Sequence, residues 1–449
     1  GRSVNRRSTD LQAIQRAAIG VVIGLAACTS GRLLPAEADR TLSGFDKLLP
    51  ATDWPWWRGP MRNGIAPANA NPPTTWSESE NIAWKVPVPG RGHASPIVVG
   101  EQVFLATAEE DEQVQSVIAF DRSTGKQLWK TEANRGGFPH IHTNNTHASP
   151  TIACDGDLLF ATFHHHDQLQ AIALGRGGKI AWNKSLGEFH PRRYEFGYAP
   201  SPVVYRNTVI VAAEFDGDSS LTALDRRTGA MVWRTPRPAN ITFSTPSINV
   251  IGARELLTIS GNDQVSCYDP ATGRPLWSVD ATTLATCGTV VWDGDLLFAS
   301  GGFPKSETVG IRVGDRGTVL WKNQQKCYEE SMLAYRGHLY ALTGKGVLYC
   351  FRGDDGQQMW QQRLHGPVSA SPVLAGGHIY WANERGTMYV FKPKPDACEL
   401  VAENVLGDES FASPAVSGDR LFLRVAKREG DLRQEYLVCI GRPESIGGQ

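Results

Sequence analysis

Tryptophan recurs along the chain at near-constant intervals, and this period constrains the fold more than any other feature of the sequence. Successive positions are 39 to 53 residues apart and are Trp84, Trp129, Trp182, Trp233, Trp277, Trp321 and Trp360. Periods of this length are typical of repeat architectures, in which each unit is a small supersecondary structure stacked on its neighbours. A chain of 449 residues built in this way needs no single large core.

A Ser-Pro or Thr-Pro pair begins most of the units. The pairs start at Ser95, Ser149, Ser201, Thr245, Ser371 and Ser413. Two degenerate starts, Gly288-Thr289 and Ser331-Met332, fill the gap between the fourth and fifth pairs. The sequence therefore predicts eight units.

The most regular stretch of a unit reads AFDRSTGKQLW at residues 119–129 and recurs in similar form at 223–233 and 267–277. Its Asp, Thr and Gly are typical of a tight turn. Short runs of Val, Ile, Phe and Trp bounded by Gly, Asp and Asn are typical of strands. Each unit is therefore predicted to hold four strands, which we name A to D in chain order.

Eight four-stranded units of this period predict an all-β, eight-bladed β-propeller over residues 81–441, because each small sheet must stack on its neighbours. The last unit (411–441) has no D strand, whereas a spare strand (81–86) precedes the first unit. Pairing of the two is expected to close the ring and remove both open edges. The seven repeated tryptophans are predicted to be structural and to pack between adjacent blades.

The A-x-D-x-x-T-G-x-x-x-W pattern resembles the pyrroloquinoline-quinone (PQQ)-like repeat, which is shared by quinoprotein alcohol dehydrogenases and the BamB outer-membrane assembly lipoproteins. The stretch Asp53–Pro60, followed by Gly64, is similar to the leader before such repeats in secreted bacterial proteins. The resemblance covers residues 84–440 and implies an eight-bladed fold. For function it implies either a non-catalytic envelope scaffold, as in outer-membrane assembly, or a PQQ-dependent dehydrogenase.

The first 38 residues are typical of a signal peptide rather than of a folded domain. Four arginines precede an apolar run at residues 17–27, which is shorter than the about 20 residues of a membrane span. The run ends in a lipobox-like sequence at Cys28, a candidate for lipidation, and a competing cleavage site follows Ala38. We therefore expect export to the periplasm or outer membrane, with membrane attachment only through a lipid on Cys28.

A leader rich in proline and tryptophan follows at residues 39–80, and a short tail occupies 442–449. Trp54, Trp56 and Trp57 in the leader are interpreted either as a ligand-stacking patch or, preferably, as a segment that plugs or wraps the propeller. Cys287 and Cys327 are the cysteines to examine for a bridge, but none is expected, because neighbouring blades diverge.

The formal net charge of −1 gives no basic field for nucleic acid, so nucleic-acid binding is excluded. The dehydrogenase alternative needs carboxylates around PQQ and calcium and long enclosing insertions. Glu195, Asp216 and Glu330 are carboxylates on candidate face loops, but the chain has no Cys-Cys pair and little sequence beyond the repeats. We therefore expect a monomeric binding propeller without a cofactor, whose partners are envelope proteins or glycans.

The D–A and B–C loops vary in length and share one face of an antiparallel blade, so binding is predicted there. Histidines concentrate in these loops, followed by two arginines and a glutamate. The candidate ligand-binding residues are His140, His142, His147, His164, His166, His190, Arg192, Arg193 and Glu195. Imidazoles from several loops suit a transition metal or an acidic or sugar ligand, and the alternative is a solvated polar cluster.

Overall fold

The computed structural model describes residues 42–442, which form eight antiparallel four-stranded sheets and no helix. The expected signal peptide, with Cys28 and the cleavage site after Ala38, lies outside the described residues, as does the tail beyond residue 442. Within 42–442, therefore, no helix has the length and apolar character to cross a membrane.

The strands follow the predicted A to D order in every blade. Blades 1 to 4 comprise β2 Ile97–Val99, β3 Gln102–Glu109, β4 Val114–Asp121 and β5 Gln127–Arg135; β6 Ala153–Cys154, β7 Leu158–His165, β8 Gln168–Gly175 and β9 Ile180–Glu188; β10 Val203–Tyr205, β11 Thr208–Ala213, β12 Ser220–Asp225 and β13 Met231–Pro236; β14 Ser247–Ile251, β15 Arg254–Gly261, β16 Gln264–Tyr268 and β17 Pro275–Asp280. Blades 5 to 8 comprise β18 Val291–Asp293, β19 Leu296–Gly301, β20 Glu307–Val313 and β21 Gly317–Asn323; β22 Leu333–Tyr335, β23 His338–Leu342, β24 Val347–Arg352 and β25 Gln358–Arg363; β26 Val373–Ala375, β27 His378–Ala382, β28 Thr387–Lys392 and β29 Glu399–Val405; β30 Ala415–Ser417, β31 Arg420–Glu429, β32 Leu432–Ile440 and, from the N-terminal side, β1 Ile82–Val88.

The last sheet has the order β1-β32-β31-β30, so the N-terminal strand supplies the missing D strand of blade 8. It pairs antiparallel with β32, placing Trp84 opposite Cys439 and Val86 opposite Leu437. The predicted eight-bladed propeller and its closure are therefore confirmed. Strands A to C are mostly buried, whereas the D strands alternate between exposed and covered positions, as expected at the rim of a ring.

The repeated tryptophans lie between blades, each against the C–D turn of the next blade. A Cβ added to the turn glycine would come within 3.0 Å of an indole atom in six cases, namely Gly125 on Trp84, Gly178 on Trp129, Gly229 on Trp182, Gly273 on Trp233, Gly317 on Trp277 and Gly356 on Trp321. In five of the seven, the indole N–H also donates to a backbone carbonyl of the next turn, as from Trp84 to Arg122 at 2.9 Å. Each tryptophan thus joins two blades.

The leader fills the central channel. Trp54 pairs with Val98 of β2 in blade 1, and Ile65 pairs with Leu374 of β26 in blade 7, so the segment crosses the channel between them. Trp54 and Trp56 are buried in the clusters of the blade cores. The leader therefore acts as a plug. Of its three neighbouring tryptophans, only Trp57 is half-buried and so remains a candidate for stacking on a ligand.

Candidate functional site

A ring of hydroxyl groups surrounds the channel where the A strands begin. The backbone N–H at seven of the eight positions donates to the hydroxyl of the next blade: from Ser95 to Thr151, Thr151 to Ser201, Ser201 to Thr245, Thr289 to Ser331, Ser331 to Ser371, Ser371 to Ser413 and Ser413 to Ser95, at 2.8–3.0 Å. We call the eight side chains the hydroxyl ring. The Ser/Thr of the unit starts therefore links neighbouring blades.

Unit 2 differs from its predicted register. The sequence places its start at Ser149-Pro150, but Thr151 supplies the ring hydroxyl. Ser149 donates instead to the Asn145 side chain at 2.6 Å. The Ser-Pro motif gives the wrong residue here. A residue joins the ring when the strand register places its hydroxyl next to the N–H of the preceding blade, whether or not a proline follows it.

A cavity of about 270 Å³ opens above this ring on the D–A loop face. Its walls include one residue from each unit, two positions before the hydroxyl-ring residue. These are His93, Ser149, Ala199, Phe243, Cys287, Glu329, Ser369 and Phe411. Side chains two apart along an extended strand point the same way, so both sets face the axis.

Trp57 from the leader lies at the floor of the cavity. Its indole N–H donates to the hydroxyl of Thr289 at 2.8 Å. The turn beneath it needs glycine, since Gly59 and Gly64 have φ of +77° and +82°. A Cβ on Gly64 would lie 2.5 Å from the Arg58 guanidinium. The plug therefore closes the channel and makes the cavity a cup rather than a pore.

The lining carries little charge. No Lys, Arg or Asp lines the cavity, and Glu329 is its one carboxylate. Burial raises the pKa of Glu329 and raises that of the Cys287 thiol well above its usual range. Burial lowers the pKa of His93 well below its usual value, so this imidazole is neutral at pH 7. Lys326 lies 5.0 Å from the ring of Tyr328 but outside the lining.

Aromatic rings form much of the wall. Phe196 and Phe243 make an edge-to-face pair with centroids 6.0 Å apart, and His93 stacks on Phe411 at 4.5 Å. His142 lies 5.2 Å from Phe196. Phe196 and His142 belong to the two longest D–A loops, residues 136–152 and 189–202.

These two loops pack on each other, and we call them the loop lobe. The His142 N–H donates to the Glu195 carbonyl at 2.8 Å, and the Asn145 side chain donates to the Phe196 carbonyl at 2.6 Å. The backbone N–H groups of Arg192 and Arg193 donate to the Asp216 carboxylate. The side chains of both arginines are exposed. Most of the predicted site residues therefore belong to one raised surface above blades 1 to 3.

The structure does not bring the predicted histidines together as one set. His142 lines the cavity, His140 is exposed, and His166 lies beside Gly137. His147 stacks on Phe138 at 4.2 Å, and His190 pairs with Asp167 at 2.9 Å.

His164 is buried at an edge-to-face contact with Phe189. Burial lowers the pKa of both His147 and His164 to about 4. In the part of the chain that the structure describes, no three His, Cys, Asp or Glu side chains are grouped so as to hold a metal ion. Their role in ligand binding stays a prediction.

The dehydrogenase candidates are also separated. Glu195 is in the loop lobe, and Asp216 is in the B–C loop of blade 3, which contacts the lobe. Glu330 is buried below the cavity wall. Neither carboxylate oxygen of Glu330 has a hydrogen-bond donor among residues 42–442. Burial, and then the neighbouring Glu329, raises the pKa of Glu330 well above its usual range.

Cys287 and Cys327 are both free thiols, as expected.

Sequence reasoning considered Trp57 only as part of a ligand-stacking patch that it did not favour, and it did not identify the eight wall positions as a set. The signal was present, because each wall residue precedes its hydroxyl-ring residue by two. It was readable only once the register of every A strand was known.

Comparison with known proteins gives a consistent result. The family model described as outer membrane protein assembly factor BamB matches residues 74–217, 113–302, 217–332 and 305–395. An outer membrane protein assembly factor BamB from Burkholderia pseudomallei is 25% identical over 353 residues, covering 68% of this chain and 85% of that protein.

Two solved structures share the fold. BamB from Moraxella catarrhalis superposes with a TM-score of 0.57 at 14% identity, covering 79% of this chain and 98% of that one. The quinohemoprotein alcohol dehydrogenase from Comamonas testosteroni superposes with a TM-score of 0.62 at 12% identity, covering 92% and 86%. At these identities the likeness shows the fold alone.

Proposed function

Since the chain belongs to the family whose model is described as outer membrane protein assembly factor BamB, we propose that it is a non-catalytic scaffold of the bacterial cell envelope that acts in outer-membrane protein assembly. The observation that carries the proposal is the family match across residues 74–395. The relative from Burkholderia pseudomallei, which bears the same description, supports it. The role places the protein in the periplasm or at the outer membrane.

The loop lobe supplies a surface for this role. It is built from the two longest D–A loops, and its exposed Arg192 and Arg193 lie beside the apolar Phe196, which is 40% exposed. Arginine and aromatic side chains are enriched at protein interfaces. We propose that the partner protein docks on the loop lobe.

The residues of the cavity do not fit PQQ with calcium. A quinone with several carboxylates needs cationic side chains, and calcium needs several oxygen ligands with negative charge. The cavity offers neither lysine nor arginine, and its one carboxylate is Glu329. This donor set supports the scaffold over the dehydrogenase.

Affinity capture from detergent-solubilised envelopes tests the proposal. The wild-type protein is expected to recover an outer-membrane β-barrel assembly protein. The double variant Arg192→Glu/Arg193→Glu is expected to lose it, while Arg227→Glu/Arg274→Glu, on exposed C–D turns of the opposite face, retains it. Failure of the wild type to capture any barrel-assembly protein contradicts the assembly role. Equal capture by both variants contradicts only the docking surface.

A further inference from the structure

The cup above Trp57 combines three properties that together select a class of ligand. It has an aromatic floor and walls, a ring of hydroxyl groups, and no lysine, arginine or aspartate in its lining. Its volume of about 270 Å³ lies near the lower end of cavities that hold small organic molecules. It therefore suits one ring-sized group rather than an extended chain.

The hydroxyl ring still has hydrogen atoms to donate. Six of its members line the cavity, namely Ser95, Thr151, Ser201, Thr245, Thr289 and Ser413. Each oxygen accepts an N–H from a neighbouring blade or, for Thr289, from Trp57. Between residues 42 and 442, no protein acceptor is found for any of these six hydroxyl hydrogens. A ligand in the cup thus meets several O–H donors around one aromatic side chain.

We propose that this cup binds a neutral sugar ring, such as the terminal residue of an uncharged glycan. The carbon-bound hydrogens of a sugar pack on Trp57, and its hydroxyls exchange hydrogen bonds with the hydroxyl ring. Phe196, Phe243 and Phe411 enclose the sides.

Other ligand classes match the lining less well. An anionic ligand finds no cationic side chain in the cavity. A flat aromatic ligand would stack on Trp57 but leave the surrounding hydroxyl groups desolvated and without partners, which is unfavourable. The inference goes beyond the assembly role and does not depend on it.

Saturation-transfer NMR with a panel of methyl glycosides tests the proposal. The panel contains the glucoside, galactoside, mannoside and N-acetylglucosaminide as neutral sugars and the glucuronide as an anionic match to the glucoside. Transfer to the ring protons of at least one neutral member is expected, with little transfer to the glucuronide. No transfer to any neutral member, or transfer to the glucuronide as strong as that to the best-bound neutral member, overturns the proposal.

Two tryptophan variants locate the binding. Trp57→Leu is expected to weaken the affinity for the bound glycoside about tenfold by removing the stacking surface. The matched control is Trp360→Leu, since Trp360 is also half-buried with one indole hydrogen bond, to Lys394, but lies between blades. Affinity unchanged in Trp57→Leu, or lost equally in both variants, overturns the location.

A variant in the cavity wall provides a second test in case Trp57→Leu does not fold. Phe411→Leu removes one wall ring and leaves the plug intact, and it is expected to weaken binding several-fold. Unchanged affinity in this variant contradicts the cup. Glycoside binding and envelope capture are separate readouts, so that either proposal can fail while the other holds.

Discussion

At the scale of single residues, Gly125 shows why the C–D turns require glycine. Its φ is +74°, and a Cβ on it would lie 2.5 Å from the Trp84 ring. Gly337 has a φ of +75° but nothing within 4 Å of its added Cβ. Comparing the two positions therefore separates the cost of a positive φ from the cost of the clash with tryptophan when a side chain is added.

We expect Gly337→Ala to lower the free energy of unfolding by about 1 kcal/mol, the cost of a positive φ. Gly125→Ala should lower it by about 2–4 kcal/mol, since overpacking against Trp84 is added. Urea unfolding measures both. Equal losses would show that the turn tolerates the added methyl group and that the tryptophan contact does not require glycine.

Glu330 is a second residue with a measurable signature. Its folded-state pKa is raised by burial, so the folded protein keeps a proton that the unfolded chain releases above the ordinary value of 4.5. The contribution of Glu330 to stability therefore falls as the pH rises above that value.

Glu330→Gln should remove this loss, because glutamine cannot ionise. The melting temperature of the variant relative to wild type should rise as the pH is raised above the ordinary value of 4.5 towards neutrality. The exposed carboxylate of Glu195 provides the control, and Glu195→Gln is expected to show no such trend. A difference for Glu330→Gln that stays constant with pH contradicts a protonated Glu330.

At the scale of elements, a buried ion pair reinforces the closure between blades 8 and 1. Arg424 of β31 and Glu435 of β32 are 2.6 Å apart and almost fully buried. The same guanidinium donates to the Ala106 carbonyl and the Thr107 hydroxyl of β3. Blade 8 is thus bound to blade 1 through a side chain as well as through β1.

Arg424→Met is expected to lower the free energy of unfolding by about 2–4 kcal/mol, because buried Glu435 would keep only Arg433 as a cationic partner and the buried Ala106 carbonyl would lose its donor. Arg352→Met is the control, since the Arg352–Asp355 pair has similar geometry but is exposed. It should cost no more than about 1 kcal/mol. Chemical denaturation compares them, and similar losses would show that burial of the Arg424 pair is unimportant.

At the scale of the whole molecule, the leader connects blades that are not neighbours in the ring. Its hydrogen bonds reach seven of the eight blades, through Val98, Cys154, Val204, Thr289, Met332, Pro372 and Ser417. Arg58 is fully buried and donates to carbonyls of Met332 in blade 6 and Pro372 in blade 7. Without a carboxylate partner, burial lowers its pKa to about 9.

Arg58→Met should therefore lower the free energy of unfolding by about 2–4 kcal/mol, because these carbonyls are left buried without donors. The exposed Arg192→Met should change it by less than about 0.5 kcal/mol. Thermal unfolding of both variants measures the effect. A loss from Arg58→Met as small as that of the control would show that the plug contributes little to the stability of the ring.

Local and repeated patterns in the chain were sufficient to predict the architecture. The tryptophan period indicated a repeat architecture, and the unit starts set the number of blades. The turn chemistry around stretches such as 119–129 set the four strands, and the spare strand at 81–86 predicted the closure. These features are local or recur in most units, so the architecture can be predicted even where one unit departs from the pattern.

The residues along the axis, in contrast, could be identified only in the folded ring. The cup takes one wall residue from each unit, from His93 to Phe411, and its floor from Trp57 in the leader. Which Ser or Thr joins the ring, as with Thr151 in place of Ser149, depends on strand register. Packing also turned His147 and His164 to ring contacts. These outcomes depend on contacts between residues far apart in sequence, which no local pattern encodes.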